Sequence, residues 1–209
     1  MERARARLDK RDKKVGVELL VDAYCDLVDA TLLELIEQIG QRYDAPQVAE
    51  SISMANDVKA KAKQYVPWAA GFIGEQRLPP VINHFHALMH EIESPRGEGH
   101  HMVLPLQHHQ GINAQPIITS LRDGSAVNLD QGIDLLCEIV DELMVPLAIE
   151  PKNLLKFNFV VNKPLDGVIS LSRTLLHRML RKMGRQIPPD LYPLVGEHVG
   201  SFLLVDVRR

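Results

Sequence analysis

The sequence has little of several residue types on which familiar functions depend. It holds two cysteines, one tryptophan and only 5% aromatic residues in 209 positions. Cys25 and Cys137 lie far apart in separate apolar stretches, so they predict neither a disulfide framework nor a zinc ribbon. Free thiols are typical of a reducing compartment, and we therefore expect a cytoplasmic protein. A formal net charge of −3 argues against wholesale binding to nucleic acid or to an anionic membrane, and few aromatic residues make stacking on single-stranded nucleic acid less favourable.

Long apolar runs and complete catalytic motifs are also missing. No stretch approaches the roughly 18 apolar residues of a transmembrane helix, so we expect no membrane span. The basic N-terminus lacks the apolar region of a secretory signal. There is no Gly-x-Ser-x-Gly elbow, no Gly-x-Gly-x-x-Gly loop and no Gly-x-x-x-x-Gly-Lys loop. The sequence therefore contains no complete set of residues for nucleophilic or nucleotide-dependent catalysis.

The spacing of the apolar residues predicts a mainly α-helical, bundle-like domain of five or six helices. Apolar positions recur with a period of about 3.6 residues from 15 to 39, and Gly40 can cap that helix. Proline and capping residues place the other boundaries. Four further helices are predicted from about Pro46 to Tyr65, from Pro79–Pro80 to about Glu93, from about Asn128 to Met144, and from Pro164 to Gly184. Few βαβ alternations occur, which argues against a doubly wound sheet.

The middle of the chain has a different composition. Residues 95–127 are rich in proline and glycine and predict a long His-rich loop or a small β-hairpin. We therefore expect a charged tail over 1–14 and a single helical domain over 15–209, with helical halves 15–94 and 128–209 on either side of this loop. Two segments, 101–121 and 156–161, are compatible with strand as well as with other conformations. Residues 191–207 form a last helix or strand.

Seven of the nine histidines lie between His84 and His109. If the third helix reaches Glu93, then His86, His90 and Glu93 share one stripe at the edge of its apolar face. Two imidazoles and a carboxylate in this arrangement can bind Zn or Fe. The loop histidines could complete the site: His100, His101, His108 and His109. The alternatives are a polar, His-rich helix edge without bound metal, and a role in proton transfer or pH sensing.

Charged residues are segregated by helix. Residues 15–58 hold nine acids and one base, and residues 123–151 hold seven acids and no base. The acids at 22, 26 and 29 and those at 134, 138 and 141 lie opposite apolar faces, so we expect them to face water. Residues 167–189 hold five bases and no acid: Arg173, Arg178, Arg181, Lys182 and Arg185. This basic face is either solvated, a docking surface for an acidic partner or a second copy, or a phosphate site.

Two functional hypotheses follow. The first is a non-catalytic cytoplasmic regulatory or adaptor protein that contacts a protein partner through its charged helices and forms homo-oligomers. The second is a metal-dependent enzyme or metal-binding protein that uses the histidine cluster. The absence of a complete catalytic set favours the first.

Overall fold

The computed structural model describes residues 13–33, 46–94, 97–125 and 128–203. These residues form eight α-helices: α1 (Lys13–Leu32), α2 (Pro46–Ala70), α3 (Leu78–Ala87), α4 (His108–Arg122), α5 (Leu129–Met144), α6 (Glu150–Leu155), α7 (Phe159–Gln186) and α8 (Tyr192–Gly200). An antiparallel hairpin of β1 (Met89–Ser94) and β2 (Gly97–Met102) follows α3. The predicted mainly α, bundle-like fold with a small hairpin is therefore confirmed. None of the described helices is long and apolar enough to cross a membrane.

The long helix α7 packs against both α2 and α5. It runs antiparallel to α2, because Val161 at its start packs with Ala69 near the end of α2 and Met183 near its end packs with Ala55. Its contact with α5 is close at Gly184, where an added Cβ would lie 2.5 Å from Ile133 Cδ1. A larger residue at this position would force the Ile133 side chain to shift, so glycine allows the two helices to approach.

Four helix predictions are confirmed in position but differ in extent. The fourth predicted helix is α5, which ends at Met144 as expected. Helix α2 continues through Pro67 to Ala70, because this proline is exposed and the carbonyl that it leaves unpaired can face solvent. Helix α7 begins earlier than predicted, at Phe159, because the Asn158 side chain accepts a hydrogen bond from the Val161 backbone N–H. Its end at Gln186 is within two residues of the predicted end.

Two predictions about the middle of the chain are wrong, and the conformation of residues 156–161, which the sequence left open, is not a strand. The third helix ends at Ala87 instead of about Glu93, because residues 89–94 pair with residues 97–102 in the hairpin. Much of the predicted loop is helix α4, which begins at a capping box between Gln107 and Gln110. The segment 156–161 contains no strand; it is a left-handed turn at Lys156, an extended link and the first turn of α7.

Other predictions extend beyond the described residues. The tail over 1–14 and the end of the first helix with its Gly40 cap lie almost entirely outside them. The predicted last element is α8, preceded by a short 3₁₀ turn at Pro189–Leu191, and residues 204–207 lie outside the described part.

Helix α8 packs closely on α4, with Gly196 at the contact. A Cβ at Gly196 would lie 2.8 Å from the backbone nitrogen of Arg122 and 3.0 Å from Leu121 Cβ. Backbone atoms in a helix cannot move aside easily, so this contact excludes a side chain. By contrast, a Cβ at Gly167 in α7 would meet nothing within 4 Å.

These two glycines give a matched test of the packing. We expect Gly196→Ala to lower the free energy of unfolding by about 1–3 kcal/mol because α8 must shift. Gly167→Ala should raise it by about 0.5–1 kcal/mol, because alanine loses less entropy than glycine in an open helical position. Urea denaturation followed by circular dichroism measures both, and equal effects of the two substitutions would contradict the α4–α8 contact.

Candidate functional site

The structure separates the residues of the predicted metal site. His86 lies in α3, whereas His90 and Glu93 belong to β1, so the helical stripe that would align them does not exist. His86 and His90 are exposed, and the side chain of Glu93 lies outside the described residues. In the hairpin, His90 lies opposite His101, and Glu91 lies opposite His100. Directly opposite residues share a face of the sheet, so His90 and His101 are neighbours.

The remaining histidines are divided between two other elements. His108 and His109 are exposed in the first turn of α4. His84 has a structural role, since its Nε2 lies 2.7 Å from the Pro146 carbonyl oxygen and its ring packs edge-on against Phe85. Within the described ranges, no three His, Cys, Asp or Glu side chains are grouped closely enough to hold one metal ion. The metal site stays a prediction.

The basic face of α7 contacts acids of the same chain. Its ion pairs are Arg173 with Asp141, Arg181 with Asp134 at 3.5 Å, Arg185 with Asp130 at 3.8 Å, and Lys182 with Glu50 of α2. Asp141 also lies 2.8 Å from His177 Nε2. Burial opposes ionisation of Asp141, but Arg173 and His177 outweigh it and lower the pKa of this carboxyl group.

This pairing corrects the expectation that the acidic stripe of α5 faces only water. Arg178 is exposed and has no ion-pair partner among the described residues, unlike the other four bases. In α1, Asp29 pairs with Lys63 of α2 at 2.6 Å. Binding of a protein partner to the basic face stays a prediction, but such a partner would have to compete with acids that are already in place.

Sequence reasoning missed an apolar cavity between the helices of the bundle, which is partly open to solvent. Its volume is about 240 Å³, and it is lined by side chains of α1, α2, α3, α5, α6 and α7. The lining follows α1 from residue 20 to 32, α2 from 58 to 70 and α7 from 165 to 176. At 1.5 Å per helical residue, this corresponds to a length of roughly 18 Å. A cavity so long and of such modest volume is narrow.

The walls of this cavity explain why it stays open. Ala62, Ala69 and Ala148 line it with small side chains, where larger ones would fill the space. Between α5 and α6, the backbone forms a π-helical segment, Val145–Ile149, which carries Pro146. A π turn widens the helix locally, so it turns Leu147 and Ala148 towards the cavity in place of a regular helical face.

Among the polar side chains that line the cavity, several already have partners. The Thr31 hydroxyl donates to the Leu27 carbonyl oxygen at 2.8 Å, and the Lys152 ammonium group pairs with Asp166. The hydroxyls of Tyr24, Tyr65 and Ser172 also line the cavity, and among the described residues they have no hydrogen-bond partner. The Tyr24 ring is held edge-on against Phe85, with ring centroids 5.9 Å apart. Tyr24 is therefore a fixed polar group in an apolar wall.

The partial exposure of Tyr24 and its raised pKa are both explained by its position in the wall of the cavity. Its side chain keeps partial exposure, yet burial, with a smaller contribution from Cys25, raises the pKa of Tyr24 to about 12. Tyr24 lines the partly open cavity, so part of its surface faces that space although protein surrounds the rest of the side chain. The phenol is neutral at physiological pH and can donate one hydrogen bond to a bound molecule.

Neither cysteine is set up as a nucleophile. Both are free thiols, Cys137 buried and Cys25 half-buried. Burial, followed by the charge of Asp29, raises the pKa of Cys25. Burial also raises the pKa of Cys137, although Arg181 partly offsets it. Reactive thiols have lowered pKa values, so the cavity and its surroundings offer binding and no activated cysteine.

Comparison with known proteins adds no relative: no protein-family model, curated protein or solved structure matches the chain. The arguments for function therefore come from the residues and their geometry.

The metal hypothesis has a direct test. If His86 and His90 bind Zn or Fe, protein purified without a tag will contain the metal in stoichiometric amount, and a chelator will lower its melting temperature. His86→Ala combined with His90→Ala should then remove the metal, whereas His84→Ala should only destabilise the fold. Elemental analysis decides the question, and a metal-free protein with unchanged melting in the double variant would end the hypothesis.

The raised pKa of Tyr24 predicts a pH dependence in the alkaline range. Its ordinary value is 10, so the fold favours the neutral phenol, and the resulting stability is complete below about pH 10 and lost as the pH rises through about 12. We expect the unfolding free energy of the wild type to fall more steeply over this range than that of Tyr24→Phe. The phenolate absorbance should also show one of four tyrosines ionising late. Identical titrations of wild type and variant would contradict the buried position.

Proposed function

We propose that the protein is a non-catalytic binding protein for a slender apolar molecule, which occupies the cavity between α1, α2 and α7. The observation that carries this proposal is the apolar cavity of about 240 Å³, whose described walls hold only three unpartnered hydroxyls, those of Tyr24, Tyr65 and Ser172. Ligand pockets are typically about 300–1,000 Å³, mostly apolar, with a few polar groups that fix orientation. This cavity is slightly smaller than that range, which suits one aliphatic chain better than a fused ring system.

Energetics support an occupied cavity. The cavity is partly open, so its apolar lining faces water when it is empty. An apolar occupant removes that lining from water, which is favourable by about 25 cal/mol per Å² of apolar surface. It also adds dispersion contacts with the walls.

The polar end of the ligand is restricted by the charges in the wall. Lys152 is already neutralised by Asp166, and Tyr24 is neutral, so no charged side chain of the described wall is available to an ionised head group. Burying an unpaired carboxylate would be strongly unfavourable. The site therefore suits an uncharged alcohol, ketone or ester oxygen, which can accept a hydrogen bond from the Tyr24 hydroxyl.

The hypotheses from the sequence remain compatible with this proposal. Free thiols support a cytoplasmic location. The unpartnered Arg178 and the exposed pair Arg185–Asp130 support a weaker contact with an acidic protein surface or with a second copy of the chain. Such contacts would be sensitive to salt, since exposed ion pairs are screened. Through these contacts, a protein partner could respond to the presence of ligand in the cavity.

Filling the cavity tests the proposed function. The probe is 1-dodecanol, and its binding should raise the melting temperature of the wild type because it binds only the folded state. Ala62→Phe places a ring in the cavity, and we expect it to abolish this rise while leaving the ligand-free protein as stable or more stable. Ala60→Phe is the matched control, because Ala60 is exposed two residues away on the same helix. A dodecanol response that survives Ala62→Phe would contradict the cavity as the site.

The polar contact is tested separately with Tyr24→Phe. Loss of one hydrogen bond should weaken dodecanol binding by about 0.5–1.5 kcal/mol, or roughly threefold to tenfold. Dodecane lacks the hydroxyl group, so its binding should be unchanged by this substitution. Isothermal titration calorimetry measures both affinities, and dodecanoate should bind more weakly than dodecanol. Equal losses for dodecane and dodecanol would show that Tyr24 acts only through packing.

A further inference from the structure

Exposed apolar side chains are concentrated at the end of the bundle where α2 ends and α7 begins. We call this surface the apolar end; it consists of Trp68, Phe72, Phe159 and Val160, which are 38%, 50%, 76% and 71% exposed. Its two halves belong together because Ala69 of α2 packs against Val161 of α7 beneath them. Exposed large apolar residues grouped in this way mark an interaction surface.

The aromatic side chains of the apolar end are held in place. The ring centroids of Trp68 and Phe72 are 5.4 Å apart, and those of Tyr65 and Trp68 are 6.2 Å apart. The Lys163 ammonium nitrogen lies 5.9 Å from the centroid of the Phe159 ring. Because these contacts fix the rings before any partner arrives, binding would require little additional ordering.

The charge around the apolar end is opposite to that of the protein as a whole. Residues 58–73 and 151–165 together hold six lysines and no acid, whereas the whole chain has a formal net charge of −3. Two of these lysines are neutralised, Lys63 by Asp29 and Lys152 by Asp166. Lys156 and Lys163 are exposed and have no acidic partner among the described residues. The surface thus combines aromatic rings with uncompensated positive charge.

The backbone turn that carries Lys156 is held in place by hydrogen bonds from Arg77. Arg77 donates hydrogen bonds to the carbonyl oxygens of Leu155 and Lys156, at 2.9 and 2.5 Å. Lys156 itself has a left-handed conformation, with φ of 46°, which ends α6 and turns the chain towards α7. The turn therefore sets the position of Lys156 next to the exposed start of α7.

We propose that the apolar end docks on an anionic lipid membrane. The four apolar side chains enter the boundary between head groups and acyl chains, and Lys156 and Lys163 face the lipid phosphates. Aromatic and aliphatic side chains beside lysine are the composition of surfaces that lie in this boundary. Each lysine near an anionic leaflet adds to the attraction. A second copy of the chain fits this surface less well, because it would bring lysine against lysine.

Docking would also bring the ligand cavity to the membrane. Ala69 and Phe157 line the cavity and pack in the cluster directly beneath the exposed side chains. An apolar molecule dissolved in the bilayer could then enter the cavity without crossing water. This consequence rests on the proposed function, whereas docking itself does not.

The single tryptophan makes docking directly measurable. Trp68 belongs to the apolar end, so the intrinsic tryptophan fluorescence reports on this surface alone. We expect vesicles of phosphatidylglycerol and phosphatidylcholine to shift its emission to shorter wavelength, and brominated acyl chains to quench it. Vesicles of phosphatidylcholine alone should produce little change. Flotation of the protein with the vesicles measures binding independently of fluorescence.

Matched variants separate the contributions of the apolar side chains and of the lysines to membrane binding. Phe159→Ser with Val160→Ser, and separately Lys156→Gln with Lys163→Gln, should each lower the membrane partition coefficient at least about tenfold. Ile112→Ser is the control for surface apolarity, because Ile112 is 57% exposed on α4, in a different part of the fold. It should leave binding unchanged. Ala62→Phe, which blocks the cavity, should also bind vesicles normally, so failure of docking and failure of ligand binding can be distinguished.

Several results would overturn the proposal. One is the absence of flotation and of any emission shift in wild-type protein whose fold is intact by circular dichroism. Flotation without quenching by brominated lipid would show adsorption by charge alone, without insertion. Self-association in sedimentation velocity that disappears in the Phe159→Ser, Val160→Ser variant, with no vesicle binding, would assign the apolar end to a second copy of the chain.

Discussion

The antiparallel register of charges between α5 and α7 is the constraint on which the rest of the bundle depends. Asp130 and Asp134 are four residues apart, as are their partners Arg185 and Arg181 on the antiparallel helix. A sliding of one helix by a single residue would separate these pairs and move Gly184 away from Ile133, where an added Cβ has no room. Each exposed ion pair contributes little energy, but together with the close contact at Gly184 they favour one register over its neighbours.

This register determines where the cavity lies. With one face of α7 committed to α5 and another to α2, the remaining apolar side chains of residues 165–176 face the space between α1, α2 and the π-helical segment. Small side chains such as Ala62 and Ala148 cannot fill that space. Tyr24 could reach a polar partner only if one entered the cavity. The same packing that fixes the bundle therefore leaves a narrow apolar volume with few polar groups in its wall.

The residues that were predictable from sequence are those whose local pattern agrees with their tertiary role. The apolar spacing of α5 and α7 agrees with their packing, so both helices were predicted, although the start of α7 at the Asn158 cap was missed. Helix α4 was missed because Pro116 and the glycines suggested a loop, although Ala114, Ile118 and Leu121 have helical spacing and are buried. The end of α3 at Ala87 depends on pairing with residues 97–102, which no local pattern specifies. The cavity could not be predicted, because it is defined by side chains that five or more helices bring together.

The histidine cluster shows why clustering in sequence is weak evidence for a site in space. The helical stripe of His86, His90 and Glu93 required an uninterrupted helix. The helix ends at Ala87, and His90 and Glu93 lie in a strand of the hairpin. The cavity, by contrast, draws on residues from 20 to 176 that have nothing in common in sequence except apolarity. Ala69 and Phe157 line the cavity and pack beneath the apolar end, so a binding site and a surface for reaching a lipid phase lie next to each other. A ligand that is poorly soluble in water dissolves in the membrane, so a protein that binds it must reach the membrane. The position of the cavity next to the apolar end allows this.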